Sequence, residues 1–358
     1  MNPFKVLNKR RRRLLYKMLR GMKFNRESVE FLKNHVKWLK LDRDRVTAVP
    51  YPTNLMLELS ARCNLHCVMC AREFRYGKEM DQGFMPLDKA KMIVDQALPY
   101  LSSIGLTGLG ETLLYPDFEE ICRYIKSKKP NVIITISTNA HFKGYLEKLR
   151  PALRYIDNLQ ISVDGVGEVY ERIRPGTDFE FIKENIRATA EECRAYGIEL
   201  KFNFVITPWN YTDMENVVDF AKEMGARSIE LNPMNIASNT ELTRDFYDFF
   251  RSEEYAEACR NLHRHAGEIR QEISLLPYED QPGFRACPFP WDHPYITWNG
   301  YFIPCCGKPF PKLLHFGNVF ETGNLMAVIN SDAARNFRRQ WQSGKAPGFC
   351  KNCQFVDF

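Results

Sequence analysis

From residue 52 to about residue 235, short apolar runs alternate with stretches whose apolar residues recur at helical spacing. The runs centre on Leu57, Leu106, Ile134, Ile161, Phe204 and Ile229, and each predicts a buried strand. Residues 87–100, 116–127, 142–149, 178–195 and 213–224 predict amphipathic helices between them, punctuated by Gly144, Gly197 and Gly225. Strands separated in this way run parallel, because a parallel neighbour needs a long crossover. Six such units in series predict an α/β fold, a partial (β/α)6 TIM-like barrel. Chemistry in such folds gathers at the C-terminal ends of the strands.

The pattern changes on both sides of this core. Residues 4–24 predict a basic amphipathic helix, with Leu14, Leu15, Met18, Leu19 and Met22 on its stripe and Arg10 to Arg13, Lys17 and Arg20 around it. A second helix is expected from Arg26 to Lys40, with Val29, Leu32 and Val36 on one face, and Pro50 and Pro52 close the extension. Residues 240–272 read as one long helical stretch. Beyond residue 283 come Pro-rich loops, a hairpin-like stretch from Tyr295 to Ile303 and clustered cysteines. The chain therefore divides into a helical N-terminal extension (1–50), a β/α core (51–238), a helical connector (239–282) and a small C-terminal domain (283–358).

Composition narrows the reading. The 358 residues are 44% hydrophobic, enough to build a full core and too much for a disordered chain. No apolar run reaches the roughly 18–20 residues of a membrane span. No secretory pattern opens the sequence, so a cytoplasmic location is expected. The net charge of +6 is uneven: residues 1–45 carry 15 Lys and Arg against 4 Asp and Glu, and the rest carries 35 against 40. This basic extension raises a competing class of function, a membrane- or nucleic-acid-binding protein with structural metal sites. The acidic body and the lack of an RNA-binding motif argue against nucleic acid and leave peripheral membrane contact through residues 1–45.

The 11 cysteines change the picture most. Without an export signal, metal or redox chemistry is favoured over disulfides. Cys63, Cys67 and Cys70 form C-x3-C-x2-C on the loop after the first strand. Three thiolates on one loop can hold three corners of a [4Fe–4S] cube and leave the fourth iron open to an outside ligand. A structural zinc site is the alternative, with His66 as an awkward fourth ligand. Cys287, Cys305, Cys350 and Cys353 form C-x17-C-x44-C-x2-C, a complete four-thiolate set for zinc or an iron–sulfur cluster. Cys122, Cys193 and Cys259 fall in helical stretches and read as buried small hydrophobes.

The first cysteine motif resembles the signature of the radical S-adenosylmethionine (SAM) enzymes, with Met69 where that family often has an aromatic residue. The resemblance covers roughly residues 52–235. It implies a cofactor site built from Met69, Gly108, Gly110 and Glu111 in a "GGE"-like turn, Ser137, Thr138 and Asn139 after the third strand, Ser162 and Asp164 after the fourth, and Arg174. Asn203 and Asn232 on the next two strands are weaker candidates. The C-terminal cysteines, with Gly300 to Pro304 before Cys305 and Gly317-Asn318 after it, resemble the "twitch" form of the SPASM domain. Their spacing is close to that of 2-deoxy-scyllo-inosamine dehydrogenases. Cys305 is preferred over Cys306 as the ligand, because it directly follows that Gly-to-Pro run.

The resemblance implies two [4Fe–4S] clusters and S-adenosylmethionine as cofactors, and a reductase such as flavodoxin or ferredoxin as partner. It implies reductive cleavage of S-adenosylmethionine to a 5′-deoxyadenosyl radical that abstracts hydrogen from an unactivated C–H. A small polar metabolite, sugar- or cyclitol-like, is the expected substrate, in a dehydrogenase-like oxidation that uses the second cluster. A maturase that cross-links or epimerises a ribosomal peptide is the alternative, and epimerisation would give Cys306 or Cys193 a role as hydrogen donor.

Overall fold

The computed structural model describes residues 26–276 and 287–356, so the helix expected over residues 4–24 lies outside the described residues. All six expected strands are present: β1 (Asn54–Leu57), β2 (Ser103–Gly105), β3 (Ile133–Thr138), β4 (Asn158–Ser162), β5 (Glu199–Ile206) and β6 (Ser228–Pro233). They are parallel and lie side by side in chain order, with Ile104 beside Ile134, Ile136 beside Leu159, and Phe204 beside Leu231. A β/α chain that always steps to the next strand in the same direction curls towards a barrel.

The sheet is longer than expected. The stretch 240–272 is not one helix: a 3-10 segment (Arg244–Arg251) and a helix (Glu253–Glu268) lead into β7 (Glu272–Leu275), parallel to β6. Arg270 makes that turn with φ +56°, so no glycine marks the helix end as Gly197 and Gly225 do elsewhere. At the other edge β8 (Tyr295–Ile296) pairs parallel with β1 and turns back onto β9 (Phe302–Ile303). The nine-stranded order is β7-β6-β5-β4-β3-β2-β1-β8-β9. The C-terminal segment thus joins the same sheet as the core.

Helices α1 (Arg26–Leu39), α2 (Leu87–Ala97), α3 (Phe118–Lys128), α4 (Tyr145–Leu149), α5 (Phe179–Tyr196) and α6 (Met214–Met224) follow the expected spans. Ile93, Ile121, Leu149, Ile186 and Val217 are fully buried within one continuous core that includes Ile104, Ile136, Ile161 and Phe204 of the strands. Each such side chain contributes roughly 1.5–3 kcal/mol by leaving water.

The face expected of α1 is corrected. Val29 and Val36 remain 39% and 45% exposed, whereas Phe31 and Asn34 are buried. Asn34 Nδ2 and Trp38 Nε1 both donate to the carbonyl of Tyr51, at 2.9 and 2.7 Å. His35 Nε2 lies 2.9 Å from Ser102 Oγ, and Lys129 Nζ sits 4.5 Å from the Phe31 ring centre. Aromatic and polar residues that reach partners outcompete the β-branched stripe here.

Candidate active site

The loop after β1 carries Cys63, Cys67 and Cys70, all half-buried. It is held from several sides. Val68 N donates to Ile173 O at 3.0 Å, Ala61 N to Gly83 O at 3.0 Å, and Glu111 N to Arg62 O at 2.8 Å. Leu65 N reaches Cys63 Sγ at 3.5 Å, and Asn139 Nδ2 reaches the same sulfur at 3.8 Å. Burial pushes all three thiols up, Cys70 to about 12 with Cys67 and Cys63 adding like charge, while Arg174 pulls Cys67 back. Such mutual electrostatic reach is what a shared cluster would use, since a coordinating thiol gives up its proton. His66 points away: its side chain is exposed and Nδ1 lies 3.1 Å from Glu73 Oε1. The zinc alternative therefore lacks its fourth ligand. Met69 is partly buried against the core.

The "GGE"-like turn packs against that loop. A Cβ on Gly110 would stand 2.4 Å from Ser60 O and 2.5 Å from Arg62 O. One on Gly108 would stand 2.4 Å from Glu58 Cγ. The space both glycines leave open is thus filled by the chain itself. Glu58 was not singled out in the sequence; its only signal is a lone charge between Leu57 and Leu59 at the end of an apolar strand. Its buried carboxylate accepts from Leu109 N and Tyr295 Oη, both at 2.9 Å, and from Trp298 N at 3.2 Å. It joins the turn to the C-terminal segment.

Glu111 is buried and fully engaged. It accepts from Leu113 N at 3.1 Å, Thr138 Oγ1 at 2.8 Å and Asn139 N at 2.8 Å. Burial pushes its carboxyl up and these bonds pull it back. Thr138 and Asn139 are thereby fixed above β3, and Asn139 Nδ2 also donates to Asn64 Oδ1 at 3.0 Å. Ser137 and Ser162 are half-buried on β3 and β4.

Asp164 and Arg174 pair with each other. Arg174 Nε donates to Asp164 Oδ2 at 3.0 Å, its Nη2 donates to the same oxygen, and Val205 N donates to Oδ1 at 2.7 Å. The pair is buried beside Cys67, and Asp164 holds the Arg174 guanidinium there. Asn232 Nδ2 donates to Asn203 Oδ1 at 3.2 Å, which ties β5 to β6.

At the C-terminal site, the Cys287, Cys350 and Cys353 thiols each sense Cys305, and burial pushes all three up. Gly307 N donates to Cys305 Sγ at 3.2 Å, and Asn235 Nδ2 to Cys353 Sγ at 3.4 Å. Lys308 Nζ donates to Phe349 O at 2.7 Å; burial lowers its ammonium's pKa, and the nearby Cys350, Cys353 and Cys305 sulfurs push it back up. Four thiols with amide donors and a cation suit a fully ligated iron–sulfur cluster. Cys306 is exposed next to Cys305. Among the described residues no three or more Cys, His, Asp or Glu close on one metal ion, so the thiols share electrostatic reach, not the grip of a single ion.

Cys193 is buried near the end of α5, where its carbonyl accepts from Ile198 N just before β5 begins. That is the sheet edge opposite to the Cys63 loop.

A radical SAM superfamily model matches residues 57–221, and a SPASM iron–sulfur cluster-binding model matches residues 287–354. The chain is a radical SAM protein with a C-terminal SPASM domain. It is 29% identical to a probable GTP 3',8-cyclase of Methanococcus maripaludis over 50% of this chain and 59% of that one. It is 24% identical to the antilisterial bacteriocin subtilosin biosynthesis protein AlbA of Bacillus subtilis, over 85% of this chain and 64% of AlbA. It is 25% identical to the PqqA peptide cyclase of Ruegeria pomeroyi, over 86% and 81%. This radical SAM protein therefore spans about three fifths of the length of the cyclase and of AlbA. Streptococcus suis SuiB, solved bound to its precursor peptide SuiA, shares the fold with a TM-score of 0.65 at 18% identity, over 93% of this chain and 76% of SuiB. No described helix is long and apolar enough to cross a membrane.

Proposed function

We propose that this radical SAM protein abstracts a hydrogen atom from an unactivated C–H bond of a peptide, in a net oxidation that ends in a new bond. In this reading Cys63, Cys67 and Cys70 hold a [4Fe–4S] cluster, and Cys287, Cys305, Cys350 and Cys353 hold a second. The observation that carries it is the placing of three part-buried thiols on the one loop after β1, with the neighbouring His66 turned to Glu73. When bound there, the cluster and S-adenosylmethionine supply a one-electron cleavage whose product takes hydrogen. An external one-electron donor of the flavodoxin or ferredoxin type completes the scheme.

The chain's own residues position and shield. Glu111 holds Asn139 and Thr138 at the strand end, and Asp164 holds the Arg174 guanidinium beside Cys67, where it offsets negative charge. Gly108 and Gly110 keep the turn close to the cysteine loop. Ser137, Ser162 and Met69 remain the candidate contacts to a bound nucleoside.

The peptide reading is supported by AlbA and the PqqA peptide cyclase, which align through both halves of the chain. The test is anaerobic reconstitution, followed by assay of 5′-deoxyadenosine and of substrate mass. About eight irons per chain and deoxyadenosine formation are expected. Loss of two hydrogens from a candidate peptide would support the peptide reading; the same loss from a sugar or cyclitol would restore the metabolite reading. Absence of deoxyadenosine under reducing conditions would reject the radical chemistry.

A further inference from the structure

We infer that Asn235, which follows β6 in the core, is a positioning residue that sets the reduction potential of the C-terminal centre through a hydrogen bond to Cys353. The inference rests on the reading that Cys353 ligates an iron–sulfur cluster.

The direction of the amide is fixed by its neighbours. Asn235 Oδ1 accepts from Ala237 N at 2.9 Å. That leaves Nδ2 to face Cys353 Sγ at 3.4 Å. The same segment grips the C-terminal chain at further points. Tyr247 Oη donates to Asn352 O at 2.8 Å and accepts from Ile236 N at 3.0 Å. Ser238 Oγ donates to Gly307 O, and Arg244 Nη1 donates to Val356 O at 3.1 Å. Asn235 therefore cannot drift from the sulfur without breaking a clamp made by its own segment.

The chemistry follows from charge. Reduction adds an electron to the cluster, and part of that charge falls on the cysteine sulfurs. An N–H directed at one sulfur stabilises the reduced form more than the oxidised form, so it raises the potential. Gly307 N, which donates to Cys305 Sγ, is a local backbone contact two residues along the chain. Asn235 instead reaches in from the core, 118 residues away in sequence. The core thereby adjusts how readily the distant centre takes an electron.

The test is a potentiometric titration of the reconstituted full chain, followed by electron paramagnetic resonance of the signal that is lost in Cys350→Ala. Asn235→Leu removes the donor. Asn235→Asp removes it too, but keeps an oxygen for Ala237 N and adds negative charge. With iron content unchanged, the reduced-to-oxidised ratio at a fixed potential should fall several-fold in the Leu variant. It should fall about tenfold or more in the Asp variant, which for one electron is about 59 mV. If Leu fails to fold, the Asp variant alone decides. Full iron with an unchanged midpoint would overturn the inference. A wild-type signal that survives Cys353→Ala with full iron would instead overturn the cluster reading on which it rests.

Discussion

Cys63, Cys67 and Cys70 come from one turn of chain, whereas Cys287, Cys305, Cys350 and Cys353 arrive from three segments of the C-terminal region. The first group is local in sequence and is braced from afar, by Glu111, Asn139 and Arg174 at successive strand ends. The second is scattered in sequence, and its sulfurs meet donors of their own region, Asn235 excepted. The charges differ as well. Arg174 beside Cys67 is tied to Asp164, so that pair is neutral overall. Lys308 beside Cys350 and Cys353 forms no ion pair with a carboxylate among the described residues, so the second centre has a lysine of its own. A neutral frame suits a site that must admit a charged ligand, and a fixed cation suits one that stores negative charge.

Removal of a ligand separates the two most sharply. Cys67→Ala should lose about four irons per chain and abolish 5′-deoxyadenosine, whereas Cys350→Ala should lose a similar number and keep it. Iron assay and chromatography of the nucleoside check both; equal loss of deoxyadenosine would break the division of labour. Next in size is the buried pair. Arg174→Leu strands the Asp164 carboxylate and should cost about 3–5 kcal/mol in urea unfolding, with Asp164→Asn, Arg174→Leu together recovering part of it.

A smaller effect falls on the turn. Gly110→Ala meets backbone oxygens that cannot step aside, so it should cost about 1–3 kcal/mol and lower iron retained at the first centre. Gly108→Ala meets only the Glu58 side chain and should cost less. Thermal unfolding and iron content rank the two. The smallest effect is a control away from both centres. Burial lowers the His35 pKa below its usual 6.5, so the unfolded chain binds the proton more readily, and stability falls as pH drops through and below 6.5. His35→Asn should flatten that acid limb of the denaturation curve without releasing iron from either centre.

The strands and the first cysteine motif were legible because each is a local pattern: an apolar run, or thiols a few residues apart. The features that were missed depend on partners far along the chain. Glu58 matters because Leu109, Tyr295 and Trp298 converge on it, and Asn235 because Cys353 comes to it. Asp164 and Arg174 stood out as candidates, but spacing alone did not reveal that they bind each other. On α1 the apolar count chose Val29 and Val36, while the fold chose side chains able to satisfy the Tyr51 carbonyl. β7 was hidden because it is an edge strand of four residues, only partly buried, behind a turn made by an arginine.

The pairing of β8 with β1 bears on how freely such proteins can exchange parts. The C-terminal region is not a bead on a string, since it supplies the hydrogen-bonding neighbour of the strand that leads into the first cysteine loop. Met56 N and Glu58 N donate to Pro294 O and Ile296 O, so excision of that region would leave a bare sheet edge open to another chain. A graft that swaps C-terminal regions between relatives must therefore carry this strand across in register. Otherwise its first symptom would be aggregation, before any loss of redox chemistry could be measured.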